Sequence, residues 1–170
     1  TGTPWYLPKP TPAKENLPSG TSPGPILRGA TNGLVTATNL ASPLRVSVRV
    51  EANGAPVKQV TLRHRTMFAA EASLALNDAG RDGDERAGDG LWSGVIPVSQ
   101  PKPGTMVRWR FEAVDDSGGT SRWPLAANER EGEKYLGTVL GADSVRSAMP
   151  VFHLFIRPSD IDAADSDQGA

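Results

Sequence analysis

The chain contains no cysteine among its 170 residues. This absence excludes a disulfide framework, a zinc–thiolate centre and a thiol nucleophile. Aromatic residues are also scarce, with four tryptophans, two tyrosines and four phenylalanines. No apolar run approaches the roughly 18–20 residues that a membrane span needs. The formal net charge is only −1, so the total charge does not indicate binding to nucleic acid or to a membrane surface.

Motifs of the common enzyme classes are missing as well. The sequence has no P-loop, no G-x-G-x-x-G, no H-E-x-x-H and no G-x-S-x-G. Only two histidines are present. His64 lies between two arginines on a predicted strand and is expected at the surface, whereas His153 lies in an apolar run and is expected to be hydrogen-bonded in the core or at an edge. The sequence therefore predicts a protein without catalytic activity.

Glycine and proline, in contrast, are abundant, with 18 and 15 residues. Residues 1–25 hold seven of the prolines and show no hydrophobic period. This composition predicts an extended arm or linker, and we assign residues 1–32 to it. Its apolar segment "PWYLP" is expected to remain part of a tether or to pack on a partner or on the following domain.

Alternation of apolar and polar residues dominates the middle of the chain. It is clearest in "LRVSVRVEA" (44–52) and "TMVRWRFEAVD" (105–115). Residues 67–76 are ambiguous between helix and strand. Short strands bounded by Gly, Pro, Asn or Asp at 8–12-residue spacing predict an all-β, immunoglobulin-like (fibronectin-III-like) antiparallel β-sandwich over residues 33–125. The other predicted strands are 34–40, 57–65, 91–98 and 120–124.

The C-terminal part is predicted to be irregular. Residues 126–158 form a connector in which 135–140 is one more short strand. The apolar run "MPVFHLFIRP" (149–158) is either a buried strand or an element that docks on a partner. The small, acidic residues of 159–170 predict a disordered tail.

One glycine-rich loop, "LNDAGRDGDERAGDGLW" (76–92), concentrates carboxylates. Four aspartates lie within twelve residues, and four glycines allow sharp turns that point carbonyl groups inward. Calcium needs six to eight oxygen ligands, and crowded carboxylates without a cation repel one another. The residues alone leave two interpretations open, a calcium site or a solvated loop. The candidate ligands are Asp78, Asp82, Asp84 and Asp89, with Asn77 as a further candidate.

Two other surfaces have weaker signals. Arginines and a lysine on the predicted strands, such as Arg63, Arg65 and Arg108, would form either a solvated sheet face or a surface for a polyanion. Trp92 and Trp123 are candidates for a sugar-stacking platform, whereas the alternation around Trp109 predicts a core position. No nucleic-acid partner is predicted.

The loop resembles a motif of extracellular immunoglobulin-like or fibronectin-III-like domains of bacteria and algae, L-x-D-D-G-x-x-G-D-x-x-A-G-D-G-x-Y/W, followed by a strand ending in "IP". The present chain departs from it at Ala79, where the family has a second aspartate. If that aspartate is a ligand, Asp82 is expected to replace it. The matching residues are Leu76, Asp78, Gly80, Gly83, Asp84, Ala87, Gly88, Asp89, Gly90, Trp92 and Val95–Pro97.

The segment "YLGTVL…MPVFHLFI" resembles the connector that precedes the kinase-like domain of CotH-type surface proteins. Together these resemblances imply a calcium-stabilised module of a secreted or cell-surface protein with structural, adhesive or assembly roles. Protein partners would bind the N-terminal arm and residues 149–158. The alternatives are an accessory domain that precedes a CotH-like domain, or a carbohydrate-binding module with glycan partners.

Overall fold

The structure is a computed structural model that describes residues 23–32, 43–98, 102–125, 134–141, 149, 154–157 and 159–161. Most of the Pro-rich arm, the predicted strand 34–40, His153 and residues 162–170 lie outside this part of the chain. Residues 159–161 form one helical turn. The strands are β1 (Ile26–Asn32), β2 (Leu44–Glu51), β3 (Val57–Thr66), β4 (Ala72–Ala75), β5 (Leu91–Ile96), β6 (Met106–Asp115), β7 (Thr120–Trp123) and β8 (Leu136–Val139).

These strands form the predicted antiparallel β-sandwich. One sheet has the order β1-β2-β5, and the other has the order β4-β3-β6-β7 with β8 also paired to β6. Within each sheet, all pairings between the described strands are antiparallel. The strand predictions over 44–52, 57–65, 91–98, 105–115 and 135–140 are confirmed, and the ambiguous segment 67–76 contains a strand rather than a helix. No helix in the described residues has the length and apolarity to cross a membrane.

Alternation along β2 and β6 produces the core. Every second residue of β6 from Val107 to Ala113 is fully buried, and the intervening side chains reach the outer face of the sheet. Trp109 is among the fully buried residues, as its alternation with Val107 and Phe111 predicted. The main members of the core are Val46, Val48, Val50, Val60, Leu62, Val107, Trp109, Phe111 and Ala113.

Strand β1 corrects the boundary of the arm. Composition predicts an arm over residues 1–32, but Ile26–Asn32 pairs with β2 and buries Leu27. The register shifts between Arg28 and Thr31, and Gly29 between them has φ 55°. This bulge interrupts the period-two pattern, so alternation did not reveal the strand.

Strands β7 and β8 pair with the same strand, each over a different half. β7 pairs with residues 111–114 of β6, and β8 pairs with residues 106–109. Part of the predicted connector thus completes the sheet, and Tyr135 at the start of β8 is brought onto its outer face.

The apolar run 149–158 is not a buried strand where it is described. Residues 154–157 have no regular secondary structure, and Leu154 is 83% exposed. Apolar composition cannot distinguish a strand that pairs in a sheet from a segment that lies on its surface. This segment contacts the sandwich at Arg157, whose guanidinium carbon lies 5.4 Å from the ring centroid of Phe68.

His64 is buried, so the expectation of a surface position is wrong. It follows Val60 and Leu62 on the inner face of β3, while Arg63 and Arg65 point outward. Its side chain retains only 7% exposure. Burial lowers the pKa of His64 below the ordinary 6.5, and the negative charge of Glu71 opposes this shift only in part.

This burial predicts a pH dependence of stability. Below pH 6.5 the unfolded chain takes up a proton at His64 that the folded chain accepts only at a lower pH. The free energy of unfolding is therefore expected to fall as the pH drops below 6.5. Above that pH His64 is neutral in both states, and the protein keeps its full stability. Urea denaturation between about pH 7.5 and 5 measures this, above the range in which carboxylates titrate. His64→Gln should show a flatter profile, and parallel profiles would contradict the prediction.

Candidate metal site in the loop between β4 and β5

The acidic loop is attached to both sheets at its start. The N–H of Leu76 donates to the carbonyl of Val60 in the five-stranded sheet at 2.9 Å. The next residue, Asn77, exchanges two backbone hydrogen bonds with Ser93 of the three-stranded sheet, at 3.2 and 2.9 Å. At the other end of the loop, the carbonyl of Gly90 accepts from the N–H of Val50 at 2.9 Å. The loop therefore has fixed ends.

Between these ends the loop folds over the outer face of the three-stranded sheet. Gly83 makes the closest approach, with φ 103°, and a Cβ there would lie 3.2 Å from the backbone of Gly94 and 3.1 Å from the side chain of Val95. Only glycine fits both the conformation and the space. A cleft of about 420 Å³ remains between loop and sheet. Its lining residues include Arg45, Ser47, Asp84, Glu85, Arg86, Asp89 and Ser93.

Three of the four loop aspartates converge. Asp78, Asp84 and Asp89 each offer a carboxylate oxygen, and these oxygens lie within 4.8 Å of one another. Asp84 is buried, with 6% exposure, Asp78 is half-buried, and Asp89 is the most exposed of the three. The group has the size and ligand chemistry to hold a metal ion.

Backbone N–H groups orient the three carboxylates. Asp78 accepts from Asp89 at 3.1 Å with one oxygen and from Gly90 at 3.0 Å with the other. Asp84 accepts from Gly80 at 2.6 Å, and Asp89 accepts from Leu91 at 2.9 Å. In the described part of the chain, Asp84 and Asp89 each keep one carboxylate oxygen to which no group donates.

Arginines near the loop do not neutralise this cluster. Arg81 lies 3.9 Å from Asp82, and Arg45 lies 3.9 Å from Glu85, both in exposed pairs. Arg49 donates to the backbone carbonyl of Asp89 at 3.0 Å and not to its carboxylate. Among the described residues, no arginine or lysine forms an ion pair with the three carboxylates, so no side-chain cation offsets their mutual repulsion.

The two remaining candidate ligands, Asp82 and Asn77, lie in the same loop. Asp82 is not part of the converging group; its φ is 51° and its side chain is 80% exposed beside Arg81. It therefore does not replace the missing acid at Ala79 among the converging carboxylates. The side-chain oxygen of Asn77 accepts from the N–H of Ala79 at 3.1 Å and so shapes the first turn of the loop.

The predicted tryptophan platform is not present in the described residues. Trp109 is fully buried, and Trp92 and Trp123 are half-buried against the core. The Cα partner of Trp92 is Val48, which places its ring on the core side of β5. These rings stabilise the fold rather than form an exposed stacking surface.

Comparisons with known proteins give a structural likeness but no match of sequence. No family model matches the chain, and no curated protein matches it. Among solved structures it is similar to the one titled "Crystal structure of Br derivative BhCBM56", a carbohydrate-binding module. The identity is 10% and the TM-score is 0.33, over 56% of this chain and 78% of that one. A likeness of this size carries no argument about what the present chain binds.

Proposed function

We propose that the chain is a non-catalytic β-sandwich module in which Asp78, Asp84 and Asp89 bind one calcium ion. The observation that carries the proposal is the convergence of these three carboxylates within 4.8 Å without a compensating arginine or lysine in the described residues. A bound cation would remove their repulsion and link the two ends of the loop.

The ligand chemistry favours calcium over other common metals. The cluster offers carboxylate oxygens and contains neither histidine nor cysteine, which zinc and other transition metals prefer. Magnesium needs near-ideal octahedral geometry and usually keeps several waters, with one or two carboxylates. Three converging carboxylates in a glycine-rich loop fit the larger and more variable coordination of calcium.

Calorimetric titration with calcium tests this assignment. The parent protein is expected to bind one ion with a Kd on the order of 10⁻⁴–10⁻³ M, the range of extracellular calcium modules. Asp84→Asn should weaken binding by about ten-fold or more, since it removes one charge from the centre of the cluster. The matched control is Asp82→Asn, which removes the same charge from the same loop outside the cluster and should leave the affinity unchanged.

Two results would contradict the proposal. One is the absence of any heat at millimolar calcium in the parent protein. The other is equal weakening by Asp82→Asn and Asp84→Asn, which would show only the overall charge of the loop. Thermal unfolding of both variants in excess chelator confirms that each is folded before the titrations are compared.

The proposal also covers the location of the module and its role there. A site of the expected affinity would be filled where calcium is millimolar, so we place the module in a secreted or cell-surface protein. There the sandwich would have structural, adhesive or assembly roles, with the N-terminal arm and residues 149–158 as contacts for other protein domains. The exposure of Leu154 and Ile156 supports such a contact. A position before a CotH-like domain remains the alternative, and sequencing of the gene downstream of Ala170 would decide it.

A further inference from the structure

Arginines face one another across the five-stranded sheet, on its outer surface and away from the acidic loop. In the pairing of β3 with β6, Arg63 is opposite Arg110 and Arg65 is opposite Arg108. Like charges in directly opposed positions destabilise a sheet unless something neutralises them. The two pairs are next to each other on the same face, but only one of them is neutralised.

The Arg63–Arg110 pair is part of a complete network. Arg63 donates to Glu112 at 2.9 Å, and Arg110 donates to Glu112 and, at 2.9 Å, to Glu71. The hydroxyl of Tyr135 donates to Glu71 at 2.7 Å. Burial raises the pKa of the Glu112 carboxyl, but hydrogen bonds from Arg63 and Arg110 outweigh it and hold the pKa below its ordinary value. Both glutamates therefore form ion pairs with these arginines.

The Arg65–Arg108 pair has no such partner. Both guanidinium groups lie over the ring of Tyr135, with their central carbons 4.7 and 5.8 Å from its centroid. The Nε atom of each is buried and has no hydrogen-bond partner, and no carboxylate of the described residues forms a salt bridge with either side chain. On the other side of Arg108 the register position of β8 is Gly137, so no side chain covers it there.

We propose that Arg65 and Arg108 form a binding site for the carboxylate or sulfate groups of an acidic polysaccharide. Guanidinium groups bind planar or tetrahedral oxyanions through paired N–H donors, and two adjacent arginines hold such a group more firmly than one. A bound oxyanion also removes the repulsion between them. The site lies on the other sheet from the acidic loop and does not depend on calcium.

The surroundings of the pair favour a saccharide over a continuous polyanion. Tyr135 lies against both arginines and is hydrogen-bonded to Glu71, and Glu112 lies two positions further along the same face, beyond the Arg63–Arg110 pair. These groups exchange hydrogen bonds with hydroxyl groups, whereas a chain of closely spaced negative charges meets two carboxylates there. A ligand that alternates one oxyanion with several hydroxyls, such as a polymer of uronic acids or sulfated sugars, matches this pattern.

Binding of defined polymers in the presence of chelator tests the proposal. The probes are oligogalacturonate for carboxylate groups, a heparin oligosaccharide for sulfate groups, neutral dextran and polyglutamate. We expect the parent protein to bind at least one acidic saccharide, with an affinity that falls as salt increases, and to bind dextran not at all. Arg65→Gln/Arg108→Gln should weaken this binding by about ten-fold or more.

A matched double variant keeps the comparison free of net-charge effects. Arg28→Gln/Arg81→Gln removes two positive charges from exposed pairs elsewhere and should change the affinity by less than about two-fold. Because the arginine pair is repulsive, its removal is expected to leave the free energy of unfolding equal or higher. Failure of the parent to bind either acidic saccharide, equal loss in both double variants, or equally tight binding of polyglutamate would overturn the proposal.

Discussion

Trp109→Ala is expected to lower the free energy of unfolding by about 3–5 kcal/mol, the usual cost of truncating a large buried aromatic residue. Trp109 is fully buried at the centre of β6, between Val107 and Phe111 on the inner face. Its truncation removes the largest side chain of the core and leaves a cavity that rigid sheets on both sides cannot close. Since small domains have only about 5–15 kcal/mol of stability, this variant should be close to unfolding.

Chemical denaturation followed by circular dichroism measures this loss. Trp109→Phe, which keeps an aromatic ring in the same place, should be destabilised less. Leu125→Ala removes an apolar side chain that is 67% exposed and should stay within about 0.5 kcal/mol of the parent. A core assignment for Trp109 would be wrong if its alanine variant behaved like the Leu125 variant.

Asp115→Ala is the second substitution with a large expected effect. Asp115 ends β6 and is 1% exposed. One of its carboxylate oxygens accepts from the backbone N–H groups of Ser117 and Gly119, at 2.9 and 2.7 Å, and so holds the turn to β7. We expect a loss of about 3 kcal/mol or more, since a hydrogen bond to a charged acceptor contributes roughly 1.5–3 kcal/mol and both donors would lose theirs.

Two further variants separate the hydrogen bonds from the charge. Asp115→Asn keeps an oxygen that can accept from both N–H groups, so it should lose less stability than Asp115→Ala. Asp116→Ala changes the exposed neighbour and should have little effect. Equal losses for the alanine and asparagine variants of Asp115 in denaturation experiments would show that the charge and not the pair of hydrogen bonds stabilises this turn.

Alternation predicted the central strands because it reports directly on burial. In β2 each apolar residue faces the core and each polar residue faces outward, and the same holds in β6 from Val107 to Ala113, so the period of two is uninterrupted there. The same rule would have placed His64 inside, had it been continued from Val60 and Leu62. The two flanking arginines suggested the opposite. β1 was missed for a different reason, because its bulge at Gly29 breaks the period.

The candidate sites depend on backbone conformation and strand register, which a single sequence does not predict. Spacing predicted Asp78, Asp82, Asp84 and Asp89 as one group, and the carboxylates of Asp78, Asp84 and Asp89 do converge. Asp82 is outside the group, and its left-handed backbone conformation cannot be derived from composition. The opposition of Arg65 and Arg108 depends on the register between strands that are about 40 residues apart in the chain. Alternation identifies which face these residues share, but only strand pairing shows that they are neighbours.

The chain passes from one sheet to the other at Leu76 and Asn77, and this connection has a mechanical consequence. These adjacent residues are hydrogen-bonded to Val60 in one sheet and to Ser93 in the other, through three backbone hydrogen bonds. A force that shears one sheet past the other must break these bonds together, because a single peptide unit cannot extend. If the module bears load between larger domains, resistance to rupture is expected to be highest at this point, directly beside the acidic loop.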